Sequence, residues 1–502
     1  MIKKFLTDSK NKDLLAIVVI IILNILPRLV YILNSSFFIN GDEAIFGTMV
    51  RDTLNSGHLP LFFYGNNYLL VFFEVLVSSI ISYFFGLNIF SLKIAMLLFW
   101  LASMVILYYI GKKIFLSRRL ALLSVFLVSF TPAWFDWATK ASGAYLTALL
   151  FSNIVVLLAL SKKNIIRIIA INLSLLIIYY AQPLWLVVTV PFVIYYFINE
   201  LKFKDVVIFF VSSFVLWLTS RLALSAIDFS YVLQNKLGIE QITHNVKNVF
   251  SHYSIAYSGS FFDSASLKMN YASILNSQIF IWSLIFVVIY DIYLLFRKKL
   301  SKIEAAFLFS VLLYVCLMFF YNDQEFAYRY LLPVFIPSSF LILLGIERLK
   351  KIKQKKIIYI FLIIYSVFSL VCGVLFYRYV FTPINNNYTE VERIGYLEEF
   401  LKINNIKCVY ALDWITSQHI NYFIPGISVR HQNIDTRRPQ DSAKVDAYQR
   451  TNDCALVGLW YQMPSFTHLY PLNDIYVISG RYIVHLKPLR DDLLKLNFEL
   501  TD

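Results

Sequence analysis

Long runs of apolar residues recur along most of the 502-residue chain, and short polar segments separate them. A helix of about 20 apolar residues spans the hydrocarbon core of a bilayer, whereas a β-barrel would show short segments of alternating polarity. The pattern therefore predicts an all-α polytopic membrane protein. We expect about 11 transmembrane helices, at roughly 14–33, 91–110, 120–135, 144–160, 165–181, 184–198, 206–224, 277–296, 303–321, 328–346 and 357–379.

The basic residues lie mostly in short clusters between these runs, although the formal net charge of +14 could also indicate a nucleic-acid partner. Such clusters face the cytoplasm under the positive-inside rule. They are "GKKIFLSRR" (111–119), "SKKNIIR" (161–167), "ELKFKD" (200–205), "RKKLSK" (297–302) and "ERLKKIKQKK" (347–356). We therefore exclude nucleic acid as a partner. The lysines before the first run place the N-terminus in the cytoplasm, and that run is an uncleaved anchor in the cytoplasmic membrane.

One apolar segment conflicts with a simple count of crossings. Residues 69–86, "LLVFFEVLVSSIISYFFG", are apolar enough to span, but a crossing there would turn every later basic cluster outward. Glu74 and the serines also weaken the segment as a span. We expect it to lie in the membrane interface or to re-enter, so that 34–90 forms one large outer loop. A twelfth span with a broken charge bias is the alternative.

The remaining regions divide the chain into two domains. Residues 1–379 form the transmembrane domain, which includes the first outer loop (34–90) with juxtamembrane helices and a second large outer loop (225–276). Residues 380–502 change abruptly in composition, and alternating helix and strand patterns predict a small extracytoplasmic α/β domain. The helix is "YTEVERIGYLEEFLKI", and the strands are "IKCVYAL", "CALVGLWY", "IYVISG" and "RYIVHL". Cys408 and Cys454 lie in two of these strands, as a disulfide or as neighbouring buried thiols.

Two adjacent carboxylates, Asp42 and Glu43, follow the first apolar run in "FFINGDEAIFGTMVRD" (37–52). They precede an amphipathic helix, so one interpretation is an N-cap, in which Asp42 accepts a backbone N–H and Glu43 favours the positive dipole end. The other is a carboxylate held at the membrane–water boundary to take a proton from an acceptor. The two interpretations are compatible, because a capping backbone can also aim a side chain.

The first outer loop resembles that of the GT-C superfamily of membrane glycosyltransferases, which includes protein O-mannosyltransferases and aminoarabinose transferases. The resemblance lies in "NGDEAIFGTMVRD", "LPLFFYGNNY" (59–68), "WATKASGAY" (137–145) and "YRYLLPVFIP" (328–337). It implies an inverting transfer of a sugar from a polyprenyl-phosphate carrier to an acceptor hydroxyl on a glycan, lipid or protein, at the outer face of the cytoplasmic membrane. Ile45 stands where aminoarabinose-transferase-like members carry a basic residue, and the acidic position near 74 is offset by one. Donor and acceptor therefore stay open.

The resemblance also implies roles for individual residues. Asp42 is the catalytic base, and Glu43 orients it or, as the alternative, helps to hold a divalent metal such as Mg²⁺ or Mn²⁺. The phosphate leaving group needs no general acid, so what remains is the base and cations that stabilise the phosphate. The donor-phosphate candidates are Arg329, Arg51, Lys140 and Arg221, each of which could instead snorkel to lipid headgroups. The substrate-binding candidates are Tyr64, Asn67, Tyr330 and Asp136.

Some of these candidates have structural alternatives. Residues 64–67 could form a turn, and Asp136 lies between Trp134 and Trp137, which are typical interfacial aromatics. In the tail, Asp413 and Trp414 could contact a glycan or pack at a strand end.

Two other functions would fit a basic polytopic chain. A transporter or flippase of lipid-linked sugars should carry Gly- or Pro-broken helices in matched halves, and the few glycines here show no such pairing. A non-catalytic binding subunit is the second alternative. Sugar transfer that survives Asp42→Asn at a normal rate would favour the binding subunit. Flipping of labelled lipid in proteoliposomes without glycosylation of an acceptor would favour the transporter.

Overall fold

The structure is a computed structural model, and it describes residues 9–34, 39–65, 69–162, 164–199, 203–223, 239–258, 271–320, 328–348, 355–381, 388–431, 445 and 453–498. The helices before the tail are α1 (Ser9–Leu33), α2 (Gly41–Ser56), α3 (Phe72–Phe85), α4 (Ile89–Phe115), α5 (Arg118–Ser129), α6 (Ala133–Trp137), α7 (Tyr145–Ala159), α8 (Ile165–Ala181), α9 (Leu184–Asn199), α10 (Phe203–Ala223), α11 (Ile239–Tyr257), α12 (Tyr271–Phe296), α13 (Lys302–Phe319), α14 (Leu332–Arg348) and α15 (Lys355–Phe381).

Seven helical segments in the described part of the chain are long and apolar enough to cross a membrane. They are Asn11–Leu33, Ile89–Phe115, Phe203–Leu222, Tyr271–Phe296, Lys302–Phe319, Arg329–Arg348 and Ile358–Leu375, and α3, α7, α8 and α9 are shorter apolar helices. The chain is therefore a multi-pass α-helical membrane protein, as predicted, while the count of 11 crossings stays a prediction. The run expected at 120–135 is interrupted. Helix α5 ends at Ser129 because Pro132 disfavours helical backbone at the residue before it.

Clustering of contacts divides the chain into two compact units. The first consists of residues 1–31, 96–140 and 144–379, and the second of residues 32–95, 141–143 and 380–502. The first outer loop and the C-terminal tail therefore belong to the same unit, although the sequence placed the loop within the transmembrane domain.

In the first unit, polar contacts fix the direction of α1 and α4. Asp13 near the start of α1 pairs with Lys112 near the end of α4, and Asn24 accepts a hydrogen bond of 2.8 Å from the indole of Trp100. The two helices are thus antiparallel, so a single crossing between them is not expected. This arrangement favours an outer loop without a crossing at 69–86, which stays a prediction. Helix α3 has 14 residues and is about 21 Å long, shorter than the roughly 30 Å hydrocarbon core.

A charged cluster joins the ends of three other helices in this unit. Arg348, at the end of α14, pairs with Asp291 of α12, and its Nε lies 2.7 Å from Glu304 Oε1 at the start of α13. The cluster brings together helix ends that adjoin the basic segments 297–302 and 347–356. The described ends of α12, α13 and α14 therefore lie together, as expected if the basic segments next to them are cytoplasmic loops.

The second unit contains a mixed five-stranded sheet. Its elements are α16 (Glu390–Ile403), β1 (Cys408–Ala411), α17 (Trp414–Phe423), β2 (Ser428–His431), β3 (Cys454–Leu459), α18 (Met463–Thr467), β4 (Ile475–Ile478), β5 (Tyr482–Leu486) and α19 (Arg490–Lys495). The strand order is β2-β1-β3-β5-β4, with β2, β1 and β3 parallel and the other pairs antiparallel. Alternate side chains of the strands enter two apolar cores, one against α16 and α17 and the other against α18 and α19.

The predicted α/β domain is confirmed, with two additions. The predicted helix and all four predicted strands are present, but β2 and α17 were not predicted. Helix α17 connects the adjacent parallel strands β1 and β2 and covers the sheet. Cys408 and Cys454 are direct partners on β1 and β3, and they form a disulfide.

Candidate active site

Helix α2 carries the acidic pair, and a capping box fixes its first turn. The N-cap is Asn40, whose side chain accepts a hydrogen bond of 2.8 Å from the backbone N–H of Glu43, and the Glu43 carboxylate reaches back to the Asn40 N–H. Asp42 was expected at the cap. It lies two positions later instead, so Asn40 satisfies the helix end and the Asp42 carboxylate is not used as the cap.

Glu43 is buried and forms an ion pair. Its Oε1 lies 2.7 Å from the Nζ of Lys93 at the start of α4, and each side chain is only 4% exposed. A buried carboxylate needs such a partner, because removing a charge from water costs several kcal/mol. Lys93 was not among the candidates. One feature of the sequence could have identified it. Lys93 is an isolated lysine at the predicted outer end of an apolar run, whereas most lysines lie in the predicted cytoplasmic clusters.

Asp42 has a different environment from its neighbour. Its side chain is partly exposed, and its Oδ2 accepts a hydrogen bond of 3.1 Å from the hydroxyl of Ser142. Ser142 belongs to the segment 141–143, which is part of the second unit. The two carboxylates of the pair therefore differ, since Glu43 is buried and paired with Lys93, whereas Asp42 is partly exposed and accepts a hydrogen bond from Ser142.

The tail helix α17 packs closely along α2 within the same unit. A Cβ on Gly41 would overlap the ring of Trp414, and a Cβ on Gly47 would overlap the ring of Tyr422. Trp414 follows Asp413, which is the N-cap of α17 and accepts a hydrogen bond of 2.9 Å from the Thr416 N–H. The packing role of Trp414 is thus seen, and its expected glycan contact stays a prediction.

Arg51 and Tyr64 belong to the second unit. Arg51 donates hydrogen bonds to the carbonyl oxygens of Asn421 and Tyr422, at 2.7 and 3.2 Å. The Tyr64 hydroxyl donates to Asp52 Oδ2 at 3.1 Å. Another candidate, Asn67, lies outside the residues that the structure describes. The functional roles expected for these residues stay predictions.

The other candidates belong to the first unit. Arg329 and Tyr330 lie in a short 3₁₀ helix, Tyr328–Leu331, where the guanidinium is 5.5 Å from the centre of the Tyr330 ring. Lys140 is buried, with its Nζ 4.9 Å from the Trp137 ring centre. Arg221 lies in the last turn of α10, 6.0 Å from the Trp217 ring centre. Such contacts attract a cation electrostatically. Asp136 has its backbone in α6.

The residues described do not make a ready metal site. Among them, no three His, Cys, Asp or Glu residues gather as a group that could hold a metal ion. Beside Asp42, the Glu43 carboxylate is engaged by Lys93. A divalent cation would have to compete with that ammonium group, so the pair fits a metal poorly.

The comparisons with known proteins show a shared fold and little shared sequence. No family model matches the chain, and no curated protein matches it. The crystal structure of ArnT from Cupriavidus metallidurans in the apo state matches with a TM-score of 0.58 and 10% identity. The structure of ArnT bound to undecaprenyl phosphate matches with a TM-score of 0.60 and 10% identity. Both matches cover 94% of this chain and 98% of the ArnT chain. The chain therefore has the fold of ArnT, and the predicted multi-pass helical architecture with a small α/β tail is confirmed.

Proposed function

We propose that the chain is an integral-membrane glycosyltransferase that moves a sugar from a polyprenyl-phosphate carrier to an acceptor hydroxyl, with inversion at the anomeric carbon. The observation that carries this proposal is the contrast within the acidic pair, where Glu43 is buried against Lys93 and Asp42 is partly exposed. The fold supports it, because ArnT, an aminoarabinose transferase, has been crystallised with undecaprenyl phosphate.

The reaction needs one base. The acceptor oxygen attacks the anomeric carbon, the bond from that carbon to the phosphate oxygen breaks, and the electron pair leaves with the polyprenyl phosphate. The acceptor proton passes to the Asp42 carboxylate. A base aligned in this way contributes about 100- to 10,000-fold to the rate. Inversion follows because the single displacement occurs on the face opposite the leaving group.

Ser142 and Glu43 have supporting roles in this scheme. The hydrogen bond from Ser142 orients the Asp42 carboxylate, which accepts the proton in this scheme. Glu43 closes the capping box and pairs with Lys93, so it fixes the first turn of α2 rather than serving as a second base. A metal stays an untested alternative, and no step is assigned to one.

The donor phosphate requires cations. Arg329 is the first candidate, because a guanidinium can bind two phosphate oxygens at once, and Lys140, Arg221 and Arg51 follow. Arg51 donates to carbonyl groups of α17, and this structural role makes it a weaker candidate.

Reaction on the outer side of the cytoplasmic membrane is supported by two features of the second unit. Its disulfide, Cys408–Cys454, is typical of an oxidising compartment. The unit also combines residues 32–95 with 141–143 and the tail, three segments that the charge bias places outside.

Asp42→Asn tests the proposed base, and Asp52→Asn is the matched control. Both residues lie on α2, and Asp52 accepts a hydrogen bond from Tyr64 and forms a 3.6 Å ion pair with Arg51. Membranes carrying each variant receive a radiolabelled polyprenyl-phosphate sugar and an extract of cell-surface acceptors. We expect Asp42→Asn to lower transfer by about 100- to 10,000-fold and Asp52→Asn to retain it. Normal transfer by Asp42→Asn would refute the role of Asp42 as base.

A further inference from the structure

We propose that helix α17 of the C-terminal domain positions the candidate base, and that Trp414, His419 and Tyr422 are positioning residues for the transfer reaction. This inference rests on the proposed function of Asp42. It assigns a positioning role to a tail domain for which the sequence predicted an α/β fold and offered a glycan contact at Asp413 and Trp414. The supporting contacts run along the whole docked length of α2 and lie within one compact unit.

The first contact is the insertion of two aromatic rings against glycines. Trp414 meets Gly41, the first residue of α2, and Tyr422 meets Gly47. The order of these contacts makes the two helices run parallel, with their N-terminal ends together beside Asp42. Any side chain at either glycine would force α2 and α17 apart, because the rings occupy the space of the missing Cβ atoms.

The second contact joins the far ends of the docked segments. Arg51 donates to the carbonyl oxygens of Asn421 and Tyr422 in the last turn of α17. The carbonyl oxygens in the last turn of a helix accept no hydrogen bond from an N–H group of the same helix. A cation is also stabilised at the C-terminal, negative end of the helix dipole. Arg51 therefore fixes α2 against sliding along α17.

The third contact lies immediately before the N-cap. The Nε2 of His419 is 2.9 Å from the carbonyl oxygen of Ile39, the residue that precedes Asn40. A neutral imidazole with its proton on Nε2 donates this bond. Glu390 Oε1 lies 3.6 Å from the other ring nitrogen, and it also accepts from Tyr482 and pairs with Arg481. The imidazole therefore lies between the Ile39 carbonyl and a polar network of the tail formed by Glu390, Tyr482 and Arg481.

The sheet holds α17 in place behind these contacts. Ile420 and Ile424 of the α17 segment are buried in one core with Val409 of β1 and Val429 of β2. A fully packed core transmits displacement rather than absorbing it. The position of α2, and of Asp42 on its first turn, is therefore set by the sheet through α17.

Gly47→Ala is the sharpest single test, and Gly395→Ala is its matched control. Gly47 lies five residues from Asp42, whereas Gly395 lies on α16, where no atom of the described residues is within 4 Å of the place that a Cβ would take. Alanine favours a helix over glycine by about 1 kcal/mol, so helix propensity cannot explain a loss. We expect Gly47→Ala to lower kcat by about 10- to 100-fold with the donor KM changed less than about threefold, and Gly395→Ala to have no effect.

Tyr422→Ala provides a double-mutant cycle. If the ring contact transmits the effect, the loss of kcat caused by Gly47→Ala must become smaller in the Tyr422→Ala background, because the ring that the new methyl group displaces is gone. Equal losses in both backgrounds would overturn the contact as the cause. Thermal unfolding of each variant in lipid nanodiscs shows whether the protein is folded.

A second pair of variants keeps the inference testable if Gly47→Ala does not fold. His419→Ala removes the donor to the Ile39 carbonyl, and His419→Gln retains an N–H donor. We expect His419→Ala to lower kcat by about tenfold and His419→Gln to restore part of it, at unchanged donor KM. Wild-type kcat in His419→Ala, or no recovery in His419→Gln, would count against the positioning role.

The outcomes separate the two proposals. If Asp42→Asn is inactive and all positioning variants have normal kcat, the further inference fails and the proposed base stands. If Asp42→Asn retains full transfer, Asp42 is not the base, and the inference that α17 positions the base fails with it.

Discussion

Two groups of charged residues, one in each unit, use their carboxylates differently. In the first unit, Arg348 pairs with both Asp291 and Glu304, and it joins the ends of three helices. In the unit that contains the tail, Lys93 pairs with Glu43, while Asp42 meets the Ser142 hydroxyl and stays partly exposed.

The difference separates carboxylates that hold the fold from one that is available for chemistry. A carboxylate that is buried and paired with a cation cannot take up a proton without breaking a contact that stabilises the protein. A partly exposed carboxylate keeps its contact with water, so taking up a proton changes its solvation less than it does for a buried carboxylate. Adjacent residues in the sequence, Asp42 and Glu43, fall into different classes because they lie on different faces of one helical turn.

The largest stability effect is expected at the Glu43–Lys93 pair. Glu43→Gln leaves Lys93 buried without this counter-charge, which should cost about 3–5 kcal/mol of unfolding free energy. Thermal unfolding in lipid nanodiscs measures this loss. The double variant Glu43→Gln/Lys93→Met should recover much of it, because neither buried charge remains. If Glu43→Gln is as stable as the wild type, Glu43 does not stabilise the fold, and the proposed difference in role between Glu43 and Asp42 is contradicted.

A smaller effect is expected at the corresponding position of the other cluster. Asp291→Asn leaves Arg348 paired with Glu304, so the loss should be about 1–3 kcal/mol. The same unfolding assay measures it, with Glu304→Gln as the companion variant that leaves the Asp291 pair. A loss of unfolding free energy larger than that of Glu43→Gln would contradict this expectation. It would show that the remaining pair with Glu304 does not limit the cost of removing the Asp291 charge.

The smallest effect is a dependence of stability on pH through His419. Burial lowers the pKa of its imidazole below the usual range, and Arg481 acts in the same direction while Glu390 opposes it. The unfolded chain therefore binds more protons than the folded one below about pH 6.5. The free energy of unfolding consequently decreases as the pH is lowered through this range. Unfolding temperatures at about pH 7.5 and 5.5 should differ less in His419→Gln than in the wild type. An equal fall in both proteins would contradict the assignment.

The apolar pattern was sufficient to predict the membrane helices and the α/β tail, because both depend on repeating features of the chain. Hydrophobic length identifies a bilayer-spanning helix, and alternation with turn residues identifies a strand. Helix α17 was missed because "WITSQHINYF" is short and carries polar residues that are buried only after docking on α2. Periodicity cannot show a polar face that becomes buried through tertiary contact.

The site was predictable in part. The acidic pair was visible as adjacent carboxylates before an amphipathic helix, but the sequence did not separate the roles of its members. That separation depends on Lys93, 50 positions further along the chain, and on Asn40, which takes the cap that Asp42 was expected to provide. Contacts over such separations are set by the tertiary fold, and a single sequence contains no direct record of them.

Labelling from outside the cell tests most directly whether Asp42 faces the outer aqueous side. Asp42→Cys is placed in a chain whose free cysteines, Cys316 and Cys372, are replaced by serine. Asp52→Cys on the same helix is the positive control, and Lys113→Cys, in a predicted cytoplasmic cluster, is the negative control. Intact cells are then treated with a membrane-impermeant maleimide. We predict that Asp42→Cys is labelled in intact cells, as Asp52→Cys is. Labelling of Asp42→Cys only after permeabilisation, together with Lys113→Cys, would contradict the proposed site.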